Sequence, residues 1–122
     1  MDSTRHTLPR GERLRGQKAV DRLLKGGRYG TAGCIRYCFL PSEVGSASRI
    51  MVSVPKRSFK RAVKRNLIKR RMRECYRLRK ELLPHPFDIL FIYTAAEVLP
   101  SSTIGEAIEA VLLRLAGQTD NQ

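Results

Sequence analysis

The apolar residues of this chain recur with two periods, and the switches between them divide it into elements. Leu14, Val20, Leu23 and Leu24 predict a short helix over about 13–25, stopped by Gly26 and Gly27. Period two follows. Residues 28–31 suit a short edge strand, and 34–40 alternates, with Ile35, Tyr37 and Phe39 on one face and Cys34, Arg36 and Cys38 on the other. Residues 41–48 are small, polar and turn-rich. Residues 49–54 alternate again through Ile50, Val52 and Val54, which predicts an antiparallel pair with 34–40.

Helical spacing returns between 62 and 82, where there is neither Gly nor Pro, and Pro84 stops it. Ile68, Met72, Cys75 and Tyr76 form one stripe there. Residues 87–94, F-D-I-L-F-I-Y-T, are the most apolar run and predict a buried strand. A last helix is expected over about 103–115, striped by Ile104, Ile108, Val111, Leu112 and Leu115 and ended by Gly117. Thr103 and Glu106 are spaced as a capping box at its start. The order is helix, two or three strands, helix, strand, helix. That is an α+β fold, a two-layer sandwich of helices on a sheet.

Polar residues 1–12 read as a flexible arm, 13–117 as one domain and 118–122 as a polar tail. At 122 residues and 42% hydrophobic, a single domain with a real core fits and two would be cramped.

Charge changes the picture at residues 56–80. Thirteen of those 25 residues are Lys or Arg and the only acid is Glu74, so nearly all of the chain's net +13 is concentrated there. Such a run repels itself until a polyanion supplies phosphates. The helix turns its apolar stripe one way and Asn66, Arg70, Arg73 and Arg77 the other, with Arg65 and Lys69 on a flank. A packed stripe with a basic remainder points to a nucleic-acid surface on a folded domain. Solvated charge and an anionic membrane are the competing readings.

Catalytic chemistry is sparse. There is no P-loop, G-x-S-x-G or H-E-x-x-H. Cys34, Cys38 and Cys75 include no C-x-x-C, and the first two would sit about 13 Å apart on a strand, too far to share a metal. They read as reduced thiols of a cytoplasmic protein. His6 and His85 lie in polar or Pro-flanked contexts, and Glu106 and Glu109 read as solvated charge. No apolar run approaches the roughly 20 residues that span a bilayer, and no secretory signal opens the chain.

Residues 55–77, P-K-R-S-F-K-R-A-V-K-R-N-L-I-K-R-R-M-R-E-C-Y-R, resemble the signature of the bacterial ribonuclease P protein subunit, roughly A-[VH]-x-R-N-R-x-K-R-x-x-R-E. Ala62, Val63, Arg65, Asn66, Lys69, Arg70, Arg73 and Glu74 match in register. Leu67 stands where the pattern has Arg, so one RNA contact is missing or taken over by a neighbour such as Arg71. Weaker similarity runs from about Arg13 to Leu115.

The resemblance implies the order α-β-β-β-α-β-α, with an unusual left-handed crossover through the basic helix. It implies a non-catalytic protein that assists a catalytic RNA (P RNA) in removing the 5′ leader of precursor tRNA, with Mg²⁺ held largely by the RNA and no obligate protein partner. Its P RNA contacts would be Lys56, Arg57, Lys60, Arg65, Asn66, Lys69, Arg70 and Arg73. The family's F-x-x-V-F-x-x-G pattern falls on Val20, Leu23, Leu24 and Gly27, so both aromatics are aliphatic here. Tyr37 would then join Val20 and Leu24 in a groove for the leader, although a half-buried strand tyrosine is an equal alternative. An RNA-binding structural protein of similar fold and a DNA-binding helix remain as other classes, with no helix-turn-helix spacing to favour the second.

Overall fold

In the computed structural model the described residues are 12–42 and 47–120, with side chains described as far as 117. The elements are α1 (Gln17–Gly26), β1 (Arg28–Ala32), β2 (Ile35–Pro41), β3 (Arg49–Ser53), α2 (Ala62–Arg79) with a 3-10 turn at Lys80–Leu82, β4 (Phe87–Tyr93) and α3 (Ser101–Asp120). The α-β-β-β-α-β-α order expected of the chain is the order observed.

One sheet runs β1-β2-β4-β3. β2 and β4 pair antiparallel, Tyr37 opposite Phe91, while β3 and β4 pair parallel, Val52 opposite Phe91. The expected β2–β3 pair does not form, because β4 lies between them. β4 is the strand with an apolar residue at nearly every position, and six of its seven residues are buried. Only a central strand covered on both faces satisfies such a sequence. The two alternating strands, each able to leave a face less covered, take its flanks.

The face carrying Ile35, Tyr37, Phe39, Ile50, Val52, Ile89 and Phe91 packs against α2 and α3 in one continuous core. Both helices use the stripes that spacing predicts: Ile68, Met72, Cys75 and Tyr76 on α2, and Ile104, Ile108, Val111, Leu112 and Leu115 on α3, all buried. α1 lies on the other face, where Leu23 meets Cys38 and Leu90 in a separate small cluster. The sandwich of sheet and α2–α3 pair thus gains a partial third layer.

Three boundaries differ from expectation. α1 begins at Gln17, and Leu14 is instead buried in an extended segment whose N–H bonds Ile50 O along the outer edge of β3 (2.8 Å). α3 starts two residues before Thr103, so the Thr103–Glu106 spacing is interior to it, and it continues to Asp120 through part of the expected tail. Of the expected arm only Glu12 is described, and it is bound to Lys80 (2.8 Å); residues 1–11 lie outside the described residues.

One buried ion cluster fixes α1 on its face. Asp88 is fully buried and accepts two hydrogen bonds from Arg49 (3.0 and 2.8 Å) and one from Arg22 of α1 (3.5 Å). Its carboxylate therefore ties α1, β3 and β4 at one end of the sheet.

Candidate nucleic-acid interface

The basic run divides into two populations that its sequence does not distinguish. One population is consumed by the fold. Arg65 donates from one guanidinium nitrogen to Phe59 O (2.7 Å) and Lys60 O (2.9 Å). Phe59 itself is buried, 6.0 Å from the Tyr93 ring, so the segment entering α2 is held from both sides. Arg71 donates to Leu99 O (2.7 Å) in the loop between β4 and α3. Arg77 pairs with Glu74 (2.6 Å), and Arg79 reaches Glu109 (3.2 Å) and Cys75 O (3.2 Å). Arg79 lies so close to α3 that a Cβ on Gly105 would stand 2.6 Å from its guanidinium.

The other population faces outward. Lys56, Arg57 and Lys60 are exposed on the held entry segment, and Asn66 and Arg70 on the helix, with Lys69 half-buried beside them. Arg61 and Lys64 join this set. None of these side chains makes a hydrogen bond or ion pair to another described residue. Arg73 is half-buried, and its desolvation, helped by the positive charge of Arg13, pushes its pKa down. Of the expected contact residues, Lys56, Arg57, Lys60, Asn66 and Arg70 are thus exposed, Lys69 and Arg73 are half-buried, and Arg65 clamps the segment that enters α2.

The expected leader residues are not brought together. Val20 is half-buried and Leu24 exposed on α1, but Tyr37 points to the opposite face of the sheet and is 5% exposed, 6.1 Å from Phe39 in the α3-side core. This corrects the placement of Tyr37 in that groove. The reason was already present in the alternation: Tyr37 shares a face with Ile35 and Phe39, and that apolar face is the core.

The fully buried residue of β2 that faces α1 is Cys38, and opposite it in register is Tyr29. Tyr29 is 47% exposed, its hydroxyl donates to Leu24 O (3.0 Å), and the Arg36 guanidinium lies 5.3 Å from its ring centre. An aromatic face next to α1, flanked by a cation, is thus present from a residue that sequence reading passed over. Its signal was invisible without the β1–β2 register. Gly27 permits the close approach of α1 here, since a Cβ would meet the Cys38 sulfur at 2.4 Å.

Nucleophilic chemistry finds no support at the cysteines. Burial pushes the thiols of Cys34, Cys38 and Cys75 up, which disfavours the reactive thiolate. Among the described residues no three His, Cys, Asp or Glu side chains cluster as metal ligands, and no helix is long and apolar enough to cross a membrane.

Residues 8–116 match the family model described as ribonuclease P. The chain belongs to the ribonuclease P protein family. It is similar to the ribonuclease P protein component of Porphyromonas gingivalis, 34% identical over 119 residues that cover 90% of this chain and 87% of that one. It is also similar to the ribonuclease P protein component of Chlorobaculum tepidum, at 39% identity over 79% of this chain and 73% of that one. Among solved structures, the ribonuclease P protein of Thermotoga maritima superposes with a TM-score of 0.74 at 27% identity, covering 84% of this chain and 96% of that one. The Staphylococcus aureus ribonuclease P protein gives 0.73 at 25% identity, over 83% and 92%. Family and fold together assign the chain to tRNA processing, as the protein subunit of an RNA-based endoribonuclease in association with its RNA subunit.

Proposed function

We propose that the outward face of α2 and its entry segment bind P RNA, and that the open strip beside α1 receives the single-stranded 5′ leader of precursor tRNA. The observation that carries this is the division of the basic run. Arg65, Arg71, Arg77 and Arg79 bind carbonyls and carboxylates, while Lys56, Arg57, Lys60, Asn66, Lys69 and Arg70 of the same run have no partners among the described residues. A partner that presents closely spaced phosphates neutralises such a surface, with arginine gripping two phosphate oxygens at once. A leader of variable sequence needs recognition that tolerates any base, and ring stacking supplies it. Tyr29, beside Leu24 and under Arg36, offers that ring; Val20 and Leu24 supply only aliphatic wall.

The Mg²⁺ ions of the hydrolysis belong, on this reading, to the RNA. Among the described residues, Asp88, Glu74, Glu12 and Glu109 are engaged by Arg49, Arg77, Lys80 and Arg79 respectively, and no three His, Cys, Asp or Glu side chains cluster as metal ligands. Rate enhancement then comes from positioning the leader and screening RNA charge rather than from a side-chain acid or base. The cytoplasm is the expected site of this work.

Cleavage of precursor tRNA by purified P RNA at low Mg²⁺, with and without the chain, tests the proposal. The chain should restore cleavage that the RNA performs poorly alone, and nuclease-free protein without RNA should do nothing. Site-specific cleavage by the protein alone, or no effect of the chain on the RNA, would reject the reading.

A further inference from the structure

The cavity between the start of α2 and the β4–α3 loop has a composition that phosphate binding does not explain. It measures about 620 Å³, within the range of small-ligand sites. Phe59, Leu67 and Val98 give it apolar walls, while Lys60, Arg61 and Lys64 stand at its rim. The lysine and arginine side chains have no partner among the described residues. A phosphate would be held by the rim alone and would leave the apolar walls wet. An apolar peptide side chain would suit the walls but gain nothing from three cations.

Both walls are built rather than loose. On one side Arg65 clamps the carbonyls of Phe59 and Lys60. On the other, the buried Tyr93 hydroxyl donates to Glu97 O (2.6 Å) and accepts from Leu99 N–H (3.0 Å), while Arg71 binds Leu99 O. A cavity whose walls are fixed beforehand loses little entropy when filled. Glu97 also lines it, so that an acceptor is available for the N–H edge of an inserted base. Leu67 is the position where the chain departs from the family pattern, and that departure is what makes this wall apolar.

We propose that this cavity takes one unpaired nucleotide of the bound RNA, its base between Leu67 and Val98 and its phosphates on Lys60, Arg61 and Lys64. The proposal rests on the RNA-binding reading above and adds a base-sized site separate from the strip beside α1.

The test titrates guanosine monophosphate and, separately, ribose 5-phosphate into the isotope-labelled full chain, following the backbone amides of residues 58–67 and 96–98. Burial of the base faces on the apolar walls should make the nucleotide bind about 5- to 100-fold tighter than the sugar phosphate, with shifts centred on those amides. Leu67→Asn should erase most of that advantage while leaving ribose 5-phosphate binding unchanged. Val98→Asn on the opposite wall repeats the test independently of α2. Equal binding of the two compounds, or an advantage that survives both substitutions, overturns the proposal. P RNA binding is measured on the same preparations: its failure beside an intact nucleotide advantage would count against the proposed function and not against the cavity.

Discussion

The two faces of the sheet do different work with the same strands. Toward α2 and α3 the strands present Ile35, Tyr37, Phe39, Ile50, Val52, Ile89 and Phe91, all buried, in a core that two striped helices close completely. Toward α1 they present Tyr29, Arg36, Cys38, Met51, Leu90 and Ile92, and one short helix, with Leu14 of the segment before it, covers only part of them. Tyr29, Leu24 and Met51 stay exposed there. A covered face contributes stability in proportion to the apolar area it removes from water. A half-covered face contributes less and keeps chemistry accessible. Strand alternation lets one chain build both, and a substitution should reveal which face it touches by whether it moves stability or binding.

The largest effect is expected on the closed face. Phe91 is fully buried against Tyr76, with ring centres 6.1 Å apart. Phe91→Ala should lower unfolding free energy by about 3–5 kcal/mol, read by urea denaturation. Met51→Ala on the opposite face should cost less than about 1 kcal/mol. Equal losses would erase the distinction.

Asp88→Ala attacks the tie between the faces. Removing a buried carboxylate with two arginine partners costs about 3–5 kcal/mol in general. The lower end is expected, because Arg49 and Arg22 are partly exposed and can rehydrate. Since the Arg22–Asp88 tie from α1 is lost, hydrogen exchange should accelerate in α1 more than in α3. Uniform acceleration would mean that the cluster stabilises the whole domain without orienting α1.

A pH measurement sharpens the contrast further. Burial pushes the Tyr76 pKa up to about 12, from an ordinary value of 10.0. The folded state thus penalises the tyrosinate, and its stabilising contribution is complete below pH 10 and lost as pH rises through about 12. The wild-type chain should lose roughly 2–3 kcal/mol over that window relative to Tyr76→Phe. Parallel curves for the two proteins would show that this ring is wetter than the fold implies.

These contrasts also mark what the sequence could and could not reveal. The stripes of α2 and α3 were legible because helical spacing is local, and Ile68, Met72, Cys75 and Tyr76 are all buried as spaced. The insertion of β4 between β2 and β3 was not legible, because pairing is a non-local choice. The apolar run 87–94, interrupted by Asp88, held its only trace. The basic face of α2 was legible as charge, whereas the spending of Arg65 and Arg71 was not: their acceptors are carbonyls of Phe59, Lys60 and Leu99, positions that only the folded loops bring near. Tyr37 lies on the closed face with Ile35 and Phe39, as its alternation implies, and the aromatic beside α1 comes from β1, whose register with β2 is non-local.

The central claim is that the open face, not the closed one, holds the leader, and Tyr29→Ala tests it most directly. The measurement is the affinity of the reconstituted holoenzyme for precursor tRNA and for mature tRNA, beside the protein's melting curve. Tyr29 is about half exposed, so the fold should change little. Loss of one stacking platform should weaken precursor binding by about 1–3 kcal/mol and leave mature tRNA unaffected, with Tyr29→Phe keeping most of the affinity. Tyr37→Ala should instead lower the melting temperature and impair both substrates together. A Tyr29→Ala protein that folds and binds both tRNAs as the wild type does, or loses both equally, would contradict the account.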